Sequence, residues 1–229
     1  MAGEVRVAGQ VVDKPGTNVA DDASIEITAR PPFVSRGGLK LAAALDRFGV
    51  DVTNFVCLDV GASTGGFTDC LLQRGAARVY ALDVGRGQLD WRLRQDPRVI
   101  AIEGVNARHL AADALPEPCD LATVDVSFIS LLKVVPPLLA HLRPGALLVT
   151  LVKPQFEAGR AAVGKGGIVR DEAVRRQVID ERVAQLAALG LELRGLMDSP
   201  VAGAEGNVEA LALFATPAPA ASTPPAASS

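Results

Sequence analysis

Four charged side chains stand where apolar runs end. Asp59 closes FVCLD, Asp83 closes RVYALD, Asp125 closes LATVD and Lys153 closes LLVTLVK. In an open parallel sheet the carboxyl ends of the strands form the ligand edge, so these residues share one rim if their runs are neighbouring strands. A carboxylate there accepts hydrogen bonds from hydroxyls or holds an amine. A lysine there can give up a proton, which arginine cannot. The chain has five lysines against eighteen arginines, which makes a lysine in this position suggestive of chemistry. Taken singly, each also fits a solvated loop residue.

The stretch from Asp59 to Asp69, DVGASTGGFTD, binds these positions into a pattern. An apolar run (Phe55 to Leu58) ends in Asp59, turns through Gly61, Ala62, Ser63, Thr64, Gly65 and Gly66, and opens a helix at Phe67. Such a turn presents backbone N–H groups and a helix N-terminus to a ligand, as nucleotide pockets do. The dinucleotide fingerprint G-x-G-x-x-G wants glycine where Ser63 stands, which disfavours an NAD enzyme. Asp83 ends the next strand about twenty residues on, where a carboxylate can hold ribose hydroxyls. A plain tight turn and a solvated acid remain the alternatives.

The elements that must carry these residues alternate from Asn54 onward. Strands are predicted at Phe55–Asp59, Arg78–Asp83, Val99–Glu103, Leu121–Asp125 and Ala146–Val152, with helices at Gly66–Arg74, Gln88–Gln95 and Phe128–Leu142. A helix over Arg36–Phe48 precedes them, stopped by Gly49. Another follows over Asp171–Leu189, with Val174, Val178, Val183 and Leu186 as its apolar stripe and Gly190 as its stop. Near-continuous apolar strands separated by helices signal an α/β fold with a mostly parallel sheet covered on both faces. The last two strands, Leu191–Met197 and Asn207–Phe214, are joined without a crossover helix, so the final strand should be antiparallel to its predecessor. Residues 4–28 form a small strand-rich unit ending at a stiff linker, Arg30 to Phe33. The tail from Thr216 is low-complexity and expected to be disordered.

Composition bounds the function. At 229 residues and 49% hydrophobic, the chain can bury a full core. A net charge of −3 gives no global pull toward nucleic acid, so such contacts need local basic patches. The segment PQFEAGRAAVGKGGIV, carrying Arg160 and Lys165 with Arg170 beyond, is one candidate; a solvated connection is its alternative. Cys57, Cys70 and Cys119 are far apart, form no C-x-x-C and have only His109 and His141 to help them, so a metal site is not expected. No signal pattern or spanning stretch is read, and a cytoplasmic protein is expected.

SRGGLKL, LDVGASTGGFTDCLLQ, VDVSFISL, LVKPQFEAGR, KGGIVRD and GNVEAL, in that order, resemble the TlyA (hemolysin A-like) family of S-adenosylmethionine-dependent ribosomal RNA 2′-O-methyltransferases, relatives of the FtsJ-like enzymes. The resemblance covers residues 33 to about 214. It implies a Rossmann-like class I methyltransferase sheet over 36–214, and a catalytic set of Lys40, Asp125, Lys153 and Glu209. It implies that Asp59, Gly61, Ala62, Ser63, Thr64, Gly65, Gly66 and Asp83 hold S-adenosylmethionine, with Asn106 near the adenine. Arg36 joins Arg160, Lys165 and Arg170 as candidate RNA contacts. The substrate implied is a ribose 2′-hydroxyl, expected to be of cytidine, in ribosomal RNA or a ribosomal subunit. Residues 1–29 resemble the end of an alpha-L RNA-binding domain whose two leading helices are expected to be missing, 30–35 a linker, and 215–229 a disordered tail. The alternatives are a non-catalytic S-adenosylmethionine-binding assembly factor and a membrane-active hemolysin. The second would need an amphipathic or spanning stretch.

Overall fold

The computed structural model describes residues 5–12, 16–27, 31–159, 163–164, 166–203 and 206–218. A small antiparallel sheet comes first: β1 (Val5–Val7), β2 (Gln10–Val11) and β3 (Ile25–Ile27), in the order β2-β1-β3. The alternating VRV and IEI runs are therefore strands, as their pattern predicts. No helix occurs among the described residues of this unit. The alpha-L likeness thus rests on sequence.

The remaining elements build one sheet with helices on both faces. In chain order they are α1 (Gly37–Phe48), β4 (Val56–Val60), α2 (Gly66–Gln73), β5 (Arg78–Asp83), α3 (Trp91–Gln95), β6 (Val99–Glu103), β7 (Cys119–Val124), α4 (Leu131–Leu138), β8 (Leu142–Val152), α5 (Pro154–Glu157), α6 (Glu172–Ala187), β9 (Glu192–Asp198) and β10 (Ala210–Ala215). The strand order is β6-β5-β4-β7-β8-β10-β9. The five strands from β6 to β8 pair in parallel. The final strand is antiparallel, as its short connection requires, and it lies between β8 and β9, antiparallel to both. The chain reverses order at β4, so β4 and β7 splay their loops apart and open a crevice at their carboxyl ends.

Alternation along each strand divides the core. Leu58 and Val60 face a cluster with Leu131, Val135 and Leu138 of α4 and Ile179, Val183 and Leu186 of α6. Cys57 faces the opposite cluster, with Leu41 and Leu45 of α1 and Phe67 and Leu71 of α2. Both faces are covered, which is why the strands read as near-continuous apolar runs. The three cysteines are buried free thiols, as expected. Burial pushes Cys70 and Cys119 up to about 12.

Several boundaries differ from the sequence expectation for local reasons. Helix α3 starts at Trp91 because Asp90 caps it, accepting the Arg92 amide. Helix α4 starts at Leu131 because Phe128 has φ +62°, outside the helical region, and Ser130 supplies the cap. Pro136 and Pro137 lack amide donors, and the chain tightens to a 3-10 turn over Leu139–His141. The buried face of α6 is Arg175, Ile179, Val183 and Leu186, so the expected Val174 and Val178 sit beside the stripe. Arg175 wins its place by pairing with Asp198 of β9 at 3.2 Å. The tail stays ordered beyond its expected start: the Thr216 amide donates to Ala146 O at 2.8 Å, and Pro217 O accepts the Gly145 amide at 3.1 Å. The tail beyond Ala218 lies outside the described residues.

Candidate active site

The turn after β4 is held from below and from the side. Gly61 has φ +83°, and a Cβ there would meet Asp125 O at 2.2 Å, so only glycine lets the β7 loop close on this turn. Its amide and that of Ala62 donate to Leu82 O at 2.8 and 3.1 Å. Beneath, Asp59 has no exposed surface and accepts the hydroxyls of Thr68 (2.7 Å) and Thr123 (2.9 Å). Burial pushes its carboxyl up to about 6, against the pull of those hydroxyls. At the side, Asp83 Oδ2 accepts the Ser63 amide at 2.8 Å and Oδ1 the Gly85 amide at 2.7 Å. Each oxygen keeps a lone pair for another donor.

This turn forms one wall of a cavity of about 400 Å³. Gly61 to Thr64, Gly66 and Phe67 line it on one side, Ser35, Arg36 and the α1 residues Gly37 and Lys40 on another, and Asp125 and Gly203 complete it. Two lysine–carboxylate pairs stand at this wall. Lys40, 8% exposed, places Nζ 2.5 Å from Oε2 of Glu209, 2% exposed. Lys153 places Nζ 2.5 Å from Asp125 Oδ1 and donates to Ser127 Oγ at 3.1 Å. The pairing of Ala210 with Val152 brings Glu209 beside Lys153 across β10 and β8. Gln155 links the two sets, its Nε2 donating to Glu209 Oε1 at 3.3 Å. A Cβ on Gly203 would strike the Glu209 carboxylate at 2.2 Å, so that loop lies directly on the buried pair.

The structure thus gathers the four residues the sequence nominated for catalysis. Lys40 and Asp125 line the cavity, and Glu209 and Lys153 are each one contact behind. Among the expected cofactor residues, Gly61, Ala62, Ser63, Thr64 and Gly66 line it. Asp59, Gly65 and Asp83 do not. Asp59 lies under the turn, and Gly65 packs on Leu89 and Leu93. Asp59 and Gly65 thus lie behind the wall, and Asp83 stands beside the turn. Asn106 is exposed in the loop after β6, its Oδ1 accepting the Arg108 amide at 3.0 Å, next to the Asp83 strand end but off the cavity wall. Arg36 lines the cavity and Arg170 is exposed. Arg160 and Lys165 lie outside the described residues.

Sequence reasoning missed two exposed apolar side chains. Phe128, 89% exposed with φ +62°, packs tilted against Phe156 at 4.7 Å between centroids, and Lys153 Nζ lies 5.9 Å from the Phe156 ring. Val84, 69% exposed, directly follows Asp83. An aromatic inside the polar turn VSF was the available signal for the first.

A cavity floored by a glycine turn, with an acid at the next strand end, suits many nucleotide enzymes. The family model of FtsJ-like methyltransferases matches residues 33–215, which carry that turn and all four charged residues. The chain belongs to the FtsJ-like methyltransferase family. A Mycobacterium tuberculosis protein named 16S/23S rRNA (cytidine-2'-O)-methyltransferase TlyA is 46% identical over 210 residues, covering 91% of this chain and 78% of its own. A solved Streptococcus thermophilus protein described as a hemolysin is 43% identical, covers 97% of this chain and 83% of its own, and has a TM-score of 0.82. The N-methyltransferase NodS of Bradyrhizobium japonicum, 18% identical with a TM-score of 0.54 over 80% of this chain and 98% of its own, shares the fold alone. The FtsJ-like assignment and the Rossmann-like sheet bear out the resemblance read from the six motifs. Among the described residues no helix is long and apolar enough to cross a membrane.

Proposed function

We propose that this chain transfers a methyl group from S-adenosylmethionine to a ribose 2′-hydroxyl of ribosomal RNA, at cytidine. The observation that carries the proposal is the pair of lysine–carboxylate contacts on one cavity with the glycine turn. The residues fit that donor. The cavity falls in the roughly 300–1,000 Å³ range of small-molecule sites. Asp83 is pre-ordered by two amides with acceptor capacity left for ribose hydroxyls, and exposed Val84 offers an apolar surface to a base. When bound, S-adenosylmethionine supplies a methyl group on a positively charged sulfur.

The chain's own residues then have to orient an oxygen and deal with one proton. Lys153, its amine held in place by Asp125 and Ser127, faces the attacking hydroxyl oxygen and stabilises the negative charge that develops there as its proton passes to water. Lys40 and Glu209 fix the opposite side of the cavity, and the Glu209–Gln155 contact ties that side to the Lys153 segment. Alignment of this kind contributes about 7–11 kcal/mol in well-oriented systems. Phe128 presents its ring at the same rim, where a nucleotide taken out of its helix can stack. Arg36 and Arg170 supply exposed charge for phosphates, and we assign Arg160 and Lys165 the same role. The three-stranded unit, on its alpha-L likeness, contacts the same RNA. Acting on ribosomal RNA places the enzyme in the cytoplasm.

The test uses radiolabelled methyl donor with intact ribosomes, separated subunits and free RNA. Label is expected in RNA as a 2′-O-methyl nucleoside. Lys153→Ala is expected to bind donor normally and lose about 10²–10⁴-fold in turnover. Absence of label from every RNA form, with donor bound, would overturn the assignment.

A further inference from the structure

We propose that Glu157 is a positioning residue for catalysis, acting through Lys153; the proposal rests on the role given to Lys153 above. Glu157 is the last residue of α5, four positions after Lys153, and does not line the cavity. Its side chain is buried beside Arg182 of α6. Oε1 accepts the Leu131 amide, the first of α4, at 2.8 Å. Arg182 Nε lies 2.8 Å from Oε2 with its N–H not aimed at that oxygen, and Nη2 donates to the Glu157 carbonyl at 3.4 Å. Three helices therefore converge on one carboxyl group.

What this group fixes is the separation of two chain segments. Asp125, Ser127 and Phe128 lie on the loop that ends at Ser130 and Leu131. Lys153 lies in extended backbone (φ −107°, ψ 100°) at the start of α5. The pairing of Lys153 with Asp125 thus depends on how α5 sits against the start of α4, and Glu157 is bonded to that start. Phe156 reinforces the joint through its ring contact with Phe128. Burial raises the Glu157 carboxyl above its ordinary range, so the fold holds this acid here at a cost. Its side chain serves the fold: Oε1 accepts the α4 amide, and Oε2 faces the Arg182 guanidinium of α6.

The experiment compares Glu157→Ala and Glu157→Gln with the parent chain, each also in the Lys153→Ala background. Turnover on the methyl-accepting RNA at saturating donor, KM for RNA, donor affinity by calorimetry and melting temperature are measured. Glu157→Ala is expected to lower kcat about 10–100-fold, the scale of a misplacement near 1 Å, with donor affinity and KM within about twofold. Glu157→Gln keeps an acceptor for the Leu131 amide and should lose only about 3–10-fold. In the Lys153→Ala background Glu157→Ala should add no further loss. A purely structural residue would move melting temperature and spare kcat in the folded fraction. Unchanged kcat in folded Glu157→Ala, or an undiminished loss in the Lys153→Ala background, overturns the proposal. Should the Ala variant not fold, the Gln variant decides, and unchanged kcat there has the same force. Native turnover in Lys153→Ala alone refutes the lysine's role, which is a separate failure.

Discussion

Replacing Asp59 by asparagine tests whether the acid beneath the glycine turn is held at an electrostatic cost. Both its oxygens accept threonine hydroxyls, yet it has no exposed surface, and burial dominates in pushing its carboxyl up to about 6. In the unfolded chain an aspartate titrates near 3.9, a gap of about two units, or about 3 kcal/mol. The folded state therefore holds a proton that the unfolded state has released. The stability this proton confers is fully present below about pH 4 and is lost as pH rises through about 6. Asp59→Asn abolishes the titration while its amide still accepts from one threonine and donates to the other. Urea unfolding of both proteins at several values from about pH 4 to 8 gives the difference in stability, in which the other titrating groups cancel. Parent minus variant should fall by about 3 kcal/mol across that window. A difference independent of pH would refute the reasoning.

Three further outcomes follow from the site. Glu209→Ala strands Lys40 in a buried position and should cost about 3–5 kcal/mol, a fall of roughly 6–20 °C in Tm, with Glu209→Gln costing less. Asp83→Ala removes the acceptor for ribose hydroxyls and the Ser63 amide's partner. Calorimetry should show donor affinity reduced about 10-fold or more, and an unchanged Kd would remove Asp83 from donor binding. Phe128→Ala should leave Tm nearly unchanged, because the ring is 89% exposed. A lost base-stacking contact of about 1–3 kcal/mol should raise KM for RNA roughly 5- to 150-fold without altering donor affinity.

The strand ends were legible because apolar runs stop where a side chain must meet solvent or ligand. Asp83, Asp125 and Lys153 were found that way. Lys40 and Glu209 were not: a lysine early in a helix reads as an exposed charge, and a lone acid within the expected last strand carries no signal, until six ordered motifs place them together. Their burial against each other joins positions 169 residues apart, which no local pattern encodes.

The α/β architecture, the parallel core and the antiparallel last strand were determined by the sequence alone, because periodicity and connection length are local properties of the chain. Tertiary structure decided the insertion of β10 between β8 and β9, the burial of Arg175 in place of Val174, and the placing of Asp59 and Gly65 behind the cavity wall. It also decided the convergence of α4, α5 and α6 on Glu157. Each depends on which distant surface fills a space or answers a charge, and that partner exists only once the chain has folded.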